Sequence, residues 1–444
     1  MSKVHVIHVG NMCNKGTQAL FKSDIQIINS ITSDVSLSVS TTDAEGVRRL
    51  GLPLQAILPP MVDIPYERAD GFAKRFAIER DDPRYVAITF AALILMFLQV
   101  LLTLFSVVEA QLGLKPSYRN AVIEHFKECD VVISHSDESF KETASLLPLN
   151  FAWVVMWWSM LLSRTCEVLV AKSFRKPMIL FPNSVGPFRT IVGRSLGRFS
   201  LNRFDYLLIR DPMSYDIARK MKIRSAKMLT YDTALLFSTE KKEARRGFAG
   251  PVVGISPGVY RSSISSRELD NYVVAHSRAL DKGIERYGFS VVFLPHYISG
   301  FSLDDLEICR LIREKMANQK ATSIIETESV DEFKNLLDQM DMVISSKMHP
   351  AVLAASGYVP IICIAYDHKQ TSFFNRLHME DCLIEIRSLS YHSLYDRIEY
   401  VWRNKERIAG LLRNTIPCWQ KSLRATIGHA LACYVDTRRD GIDR

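Results

Sequence analysis

The stretch Ile344–Lys369, ISSKMHPAVLAASGYVPIICIAYDHK, carries the architecture in miniature. An apolar strand runs into Ser-Ser and Lys-Met-His-Pro, a small-residue helix follows, and a second apolar strand ends in Tyr-Asp-His-Lys. Short apolar runs alternating with helices mark parallel α/β layers, whose strands are buried on both faces. The small residues of AVLAAS let that helix lie close to the sheet. The strand-to-helix junction exposes backbone amides, and the helix turns its positive end toward whatever lies beyond the strand. Lys347 and His349 add a cation and an imidazole at that point, a setting for an anion with a proton donor beside it. Tyr366 and Lys369 arrive at the neighbouring strand end.

The same grammar extends in both directions. Upstream, KVHVIHVG, DVSLSVST, DVVIS, PMILF, YLLIR and AKMLTYD read as strands separated by helices. Lys241–Gly250, KKEARRGFAG, turns charged and glycine-bearing, as a linker does. PVVGISPG, FSVVFLPH, TSIIET, DMVISS and VPIICIAY then restart the pattern. The expected organisation is one doubly wound domain over 1–240, a second over 250–415, and a C-terminal helix in 416–444 that packs back on the first. Two long helices are expected to close the chain, roughly 391–414 and 419–436. Two such sheets in series are expected to form a cleft, with ligands beyond the carboxyl ends of the strands.

Two segments break the soluble pattern. Val86–Val108 carries no charge and is long enough to cross a bilayer; Arg80, Asp81, Asp82 and Arg84 precede it and Glu109 follows. Leu146–Leu162 is also uncharged and carries Trp153, Trp157 and Trp158, residues favoured at membrane interfaces. The expected elements are hydrophobic helices over 86–108 and 149–172, read either as a membrane-contacting hairpin or as core helices of the first domain. A true span would leave the first strands and the rest of that domain on opposite sides of the bilayer.

The net charge of +8 over 444 residues favours an anionic partner, or is ordinary surface charge, since Lys and Arg form no long tract. The eight cysteines include no CxxC pair, which argues against zinc and a disulfide framework and suits a reducing compartment. The first residues go straight into a strand, without the layout of a signal peptide. No nucleic-acid module or basic-aromatic stripe is present.

Polar residues at the other strand ends complete the candidate site. In GNMCNKGTQAL, Asn14, Lys15 and Gly16 open a helix, as an anion pocket or an ordinary turn; the order is not that of a P-loop. In FPNSVGPFRT, Asn183 and Ser184 either donate to a ligand oxygen or cap the helix. Arg210 ends a buried strand, where it binds phosphate or carboxylate or else pairs with Asp211. Asp232 reads as structural. His296 either contacts substrate or holds its loop, and Asp304 and Asp305 read as caps of the next helix.

In this order, NKGTQAL, NSVGPF, IRDPMSYDIARKMKI, YDTALLF, GISPG, LPH with DD downstream, and ISSKMHPAVLAASGYVPIICIAYDHK resemble the polysaccharide pyruvyl transferase family over most of the chain. The resemblance implies a GT-B-like pair of Rossmann-like domains, here with an apolar helical insertion in the first. It also implies transfer of the pyruvyl skeleton of phosphoenolpyruvate to sugar hydroxyls. The family's Arg/Lys-x-His element falls on Lys347, Met348 and His349, with His349 as acid/base and Lys347 in the donor site. The RD arginine falls on Arg210, a second donor contact; Tyr366 and Lys369 are grouped with them. Asn14, Lys15, Gly16, Ser184 and His296 line the cleft. Two departures stand out: Lys347 replaces the usual arginine, and SHSDESF (Ser134–Phe140) replaces a glycine-rich turn. The expected partners are phosphoenolpyruvate as co-substrate, a cell-envelope or lipid-linked glycan and the cytoplasmic face of a membrane, with no metal or other cofactor. A nucleotide-sugar glycosyltransferase of the same build and a non-catalytic relative are the alternatives.

Overall fold

In the computed structural model the chain forms two α/β units. The structure describes residues 1–32, 34–78, 82–142, 151–239, 250–259, 265–298 and 304–435, the side chains of 151–156 excepted. The first unit takes Met1–Met12, Leu20–Asp232 and the chain from Ser422; the second takes Cys13–Ala19 and Thr233–Lys421.

The first unit is built on β1 (Ser2–Val9), β2 (Val35–Thr41), β3 (Ala56–Leu58), β4 (Val131–Ser134), β5 (Met178–Asn183), β6 (Tyr206–Ile209) and β7 (Ala226–Leu229). They pair in parallel in the order β3-β2-β1-β4-β5-β6-β7. The second unit holds β8 (Val252–Ser256), β9 (Ser290–Phe293), β10 (Thr322–Ile324), β11 (Met342–Ser345), β12 (Ile361–Ala365) and β13 (Leu383–Glu385). These are also parallel, ordered β10-β9-β8-β11-β12-β13. Each sheet is doubly wound, as its alternating pattern predicts. The order reverses between β1 and β4 and again between β8 and β11, and such reversal points are where open α/β sheets bind ligands.

Central strands are wholly buried, which is why they read as unbroken apolar runs. The three-residue strands β3, β10 and β13 lie at sheet edges and are less buried; the sequence reading found β10 in TSIIET but not β3 or β13. An edge strand buries so little that it needs no apolar run.

The unit boundary falls at Asp232/Thr233, ahead of the expected 240–250. The reason is Thr233–Leu236, a buried 3-10 turn packed against the helix Met348–Ser356. Most of the expected linker, 241–249, lies outside the described residues, as do Arg80, Asp81 and 146–150 and the Trp153 side chain. The apolar helix is longer than expected, Pro83–Gln111 rather than 86–108, and of the helix expected over 149–172 the described part runs Phe151–Ser173. The closing helices part at Asn404, not near 414–419: they are Tyr391–Arg403 and Lys405–Leu431. Pro417 sits inside the second, where it removes one backbone hydrogen bond. Leu412, Ile416, Leu423 and Ile427, on either side of it, are fully buried, and their packing holds the helix through the proline. Beyond Ser422 this helix belongs to the first unit, where the rings of His429 and Tyr434 stand against Tyr206.

Candidate functional site

In the second unit the site grows from the junction after β11. Lys347 occupies the N-cap of Met348–Ser356 in an extended conformation without making a side-chain cap. Ser345 pins it instead: its Oγ accepts from Lys347 N at 3.1 Å and donates to Lys347 O at 2.8 Å. The Lys347 side chain therefore points elsewhere. Its Nζ pairs with Asp305 Oδ1 at 2.7 Å and stands 5.4 Å from the Tyr297 ring. Asp305 is 3% exposed and its second oxygen accepts from Tyr297 N at 2.8 Å. Asp304 does cap its helix, accepting from Leu306 N and Glu307 N, but Asp305 is the counter-ion of Lys347 rather than a cap. Burial raises the Asp305 carboxyl above its ordinary range, against the pull of Lys347.

Gly258, just beyond β8, lets Lys347 lie across the reversal point, for a Cβ there would stand 2.3 Å from Lys347 Cε. Gly16 has the same relation to His349: its Cβ would sit 2.2 Å from the imidazole Nδ1. The loop holding Gly16 is fixed by an antiparallel bridge between Asn14 and Tyr297, and Asn14 Oδ1 accepts from Gly16 N at 2.9 Å. Lys15 is 3% exposed; its Nζ donates to Pro295 O at 3.3 Å and lies 5.8 Å from the centre of the Phe333 ring. Burial lowers its pKa, opposed first by Asp305.

His296 is the least conventional member. It is 2% exposed, lies edge-on to Phe333 at 5.6 Å and stacks on His349 with centroids 6.3 Å apart. Neither of its ring nitrogens meets a hydrogen-bond partner among the described residues. Burial, then the charges of Lys347, His349 and Lys15, hold its pKa well below the usual value, so the ring is neutral. A buried imidazole without a hydrogen bond is costly unless something satisfies it.

Tyr366 and Lys369 stand one strand over, at the end of β12. Gln370 joins that junction to the first: it donates to Ser346 O at 2.9 Å and accepts from Tyr366 N at 3.0 Å. Lys369 pairs with Asp367 at 3.4 Å. The structure thus brings together Lys347, His349, His296, Lys15, Gly16 and Asn14, with Met348 half-buried in the first turn and Tyr366 and Lys369 at the adjacent strand end.

Arg210 and Ser184 form a separate cluster within the first unit. Arg210 does not pair with Asp211. Its Nη1 donates to Asp232 Oδ2 at 2.9 Å, its Nε to Ser184 Oγ at 2.9 Å, and its Nη2 meets Glu138 Oε1 at 3.5 Å. Ser184 in turn donates to Asp211 Oδ2 at 2.9 Å, and Asp211 caps the helix Pro212–Lys220. An anion at Arg210 must compete with two carboxylates. One of them, Glu138, comes from the SHSDESF loop itself. Buried Asp24 anchors that loop, accepting from Ser136 N at 2.9 Å and meeting His135 Nδ1 at 2.8 Å; Asn183 Oδ1 accepts from Ser139 N at 2.9 Å.

Asp305, Gly258 and Tyr297 are the site residues that the sequence reading missed. The glycine was visible in GISPG and the aspartate in the DD pair, but nothing local ties either to Lys347. Among the described residues no group of three or more His, Cys, Asp or Glu is placed to hold a metal ion.

Comparison with known proteins gives the family and the fold. Residues 26–368 match the family described as polysaccharide pyruvyl transferase. The amylovoran biosynthesis protein AmsJ of Erwinia amylovora is 23% identical over 311 residues, 66% of this chain and 70% of that protein. Among solved structures, a UDP-GlcNAc 2-epimerase from Neisseria meningitidis bound to UDP-GlcNAc superposes with a TM-score of 0.58 at 12% identity, over 98% of this chain and 100% of that one. Anabaena HepE in complex with UDP and glucose gives 0.54 at 11% identity, over 97% and 98%. At such identities the likeness is one of fold, two parallel-sheet α/β units of the GT-B type.

Proposed function

Since the chain belongs to the polysaccharide pyruvyl transferase family, we propose that it moves the pyruvyl skeleton of phosphoenolpyruvate onto sugar hydroxyls of a cell-envelope or lipid-linked glycan. The observation that carries this reading is the junction after β11, where Lys347 and His349 share one small volume with Lys15 and His296. A donor bearing both carboxylate and phosphate suits two largely buried ammonium groups. A polysaccharide-biosynthesis relative supports the glycan acceptor. The apolar helix Pro83–Gln111 supports a site of action at the cytoplasmic face of a membrane, where a lipid-linked acceptor is met.

In this reading His349 gives a proton to the methylene carbon of the donor. The adjacent carbon, left electron-poor, takes the oxygen of a sugar hydroxyl, whose proton returns to the imidazole. For a ketal, a second hydroxyl then adds to the same carbon as its bond to the phosphate oxygen breaks, and phosphate leaves carrying the proton of that hydroxyl. Lys347 and Lys15 hold the donor's anionic groups and offset charge on the departing phosphate. Neutral His296 has one ring N–H to offer a ligand oxygen. The scheme asks for no metal or other cofactor.

The test is phosphate release from phosphoenolpyruvate with a panel of glycan acceptors. His349→Ala is expected to lower the rate by about 10²- to 10⁴-fold. A second reading, a glycosyltransferase using a nucleotide sugar, is favoured by the fold shared with HepE. Thermal stabilisation by nucleotide sugars and not by phosphoenolpyruvate would establish it in place of the first. The compensated charge of Arg210 favours a third, a non-catalytic relative; an unchanged biological phenotype in His349→Ala would decide for that.

A further inference from the structure

The helix Pro83–Gln111 is inside out. Its buried stripe includes Ala92, Met96, Gln99, Thr103, Ser106 and Ala110, spaced three and four apart as one helix face requires. The middle of that stripe is polar and satisfied. Gln99 donates to Asp63 Oδ2 at 2.9 Å and accepts from Asp63 N at 3.0 Å; Ser106 Oγ accepts from Tyr118 N at 2.8 Å. The opposite face, including Val86, Phe90, Ile94, Leu101, Phe105 and Val108, is between 51% and 65% exposed. A water-facing helix arranges these in reverse, and an uninterrupted apolar face of this length marks an interaction surface.

Charge is sorted in the same sense. Over the described residues from 63 to 115, the exposed charged side chains are all basic: Arg68, Lys74, Arg75, Arg84 and Lys115, of which Arg68 pairs with Asp63 and Arg84 with Asp82. The acids Asp63, Glu67, Asp70, Asp82 and Glu109 are half-buried and each holds a hydrogen bond. The helix Phe151–Ser173 packs against both Pro83–Gln111 and Ile191–Leu201. The latter carries exposed Ile191, Val192 and Phe199 beside Arg194 and Arg198, and no acid.

We propose that this surface docks the first unit on an anionic phospholipid bilayer, with Pro83–Gln111 lying in the plane of one leaflet rather than crossing it. Lying flat buries the apolar face at the headgroup boundary while the basic residues meet lipid phosphate. Crossing would pull Gln99, Thr103 and Ser106 from their partners into hydrocarbon, where an unsatisfied polar group costs most. The inference deepens the membrane location in the function proposed above and is independent of the donor chemistry.

The full chain is incubated with vesicles of phosphatidylcholine alone or with phosphatidylglycerol added, sedimented at low and high salt, and compared with two variants. Expected is recovery with the anionic vesicles, falling as salt rises. Phe97→Glu/Leu101→Glu, on the exposed face, is expected to abolish recovery without changing Tm or the thermal response to phosphoenolpyruvate. Arg194→Glu/Arg198→Glu is expected to weaken binding to anionic vesicles by about tenfold or more. Brominated lipids that quench a fluorophore at Leu101→Cys only from shallow depths would support the in-plane position. Recovery unaffected by either variant overturns the proposal. So does a stable dimer without vesicle binding, the face then belonging to a second copy, and so does quenching deepest at the bilayer centre. Vesicle binding that persists in a protein indifferent to phosphoenolpyruvate supports the docking surface while removing the donor reading.

Discussion

At the scale of single residues, the site depends on one buried pair and two glycines. Asp305 is almost inaccessible, and Lys347 is its counter-ion at 2.7 Å. Lys347→Ala leaves that carboxylate uncompensated and is expected to cost about 3–5 kcal/mol of stability. Lys347→Ala/Asp305→Ala should recover part of that loss in urea unfolding, the non-additivity of a direct pair. Gly16→Ala drives a methyl into His349 Nδ1. A displacement of about 1 Å at an acid/base group costs on the order of 100-fold in turnover, so phosphate release should fall by that amount while Tm moves little. Lys347, His349, Lys15 and Gly16 were legible in the sequence because each follows an apolar run that marks a strand end. Asp305 was not, since a DD pair before a helix looks like a cap whatever lies opposite. Arg210 was legible as a position but not in its partners, which come from Glu138 and Asp232.

At the scale of elements, Pro83–Gln111 inverts the usual reading of polar and apolar substitutions. Gln99→Leu, ordinarily harmless in so apolar a segment, breaks two part-buried hydrogen bonds to Asp63 and is expected to cost about 1–3 kcal/mol. Leu101→Gln, on the exposed face, should change stability by less than about 0.5 kcal/mol. Equilibrium unfolding of the two variants beside wild type checks both, and equal effects would mean that the face assignment is wrong. The apolar content of this helix was evident from Val86–Val108; which face is buried was not. The helix is apolar nearly all round, so periodicity carries little signal, and burial is decided by Asp63 and Ser117 from outside it.

At the scale of the whole molecule, buried titrating groups set how stability varies with pH. Burial lowers the pKa of His5 to about 3 and of His276 to about 4, and lowers those of His8 and His296. Unfolded, these rings take up protons near 6.5; folded, they do so only at lower pH, so stability falls as pH drops below 6.5. Glu167, Asp305 and Glu67 are raised by burial. Folded, they keep protons that the unfolded chain releases near 4 to 4.5, so they lower stability as pH rises through that range. From about 4.5 to 6.5 Glu167, raised to about 7, opposes the histidines, each proton being worth about 1.4 kcal/mol per pH unit. Below about 4.5 that opposition is gone, and carboxylates held low by hydrogen bonds, Asp82, Glu109, Glu128, Asp216 and Glu268 among them, add to the loss. Denaturant unfolding is expected to show stability falling from pH 6.5 to 4.5 and falling more steeply just beneath it. A flat profile between 6.5 and 4.5 would mean that these rings already take up their protons near 6.5 in the folded state.

The sequence alone determined that the chain is two runs of parallel α/β structure, which residues end the strands, and that one helix is unusually apolar. Those properties follow from local periodicity, because a strand covered on both faces must be apolar along its length and a junction must be polar. Only the tertiary structure decided that Lys347 answers Asp305, that Gly16 makes room for the His349 ring, that His296 is sealed from water, and that Pro83–Gln111 hides its polar side. Each is a relation between side chains far apart in the chain. Burial and electrostatics act through space, and no local pattern records which distant group will arrive.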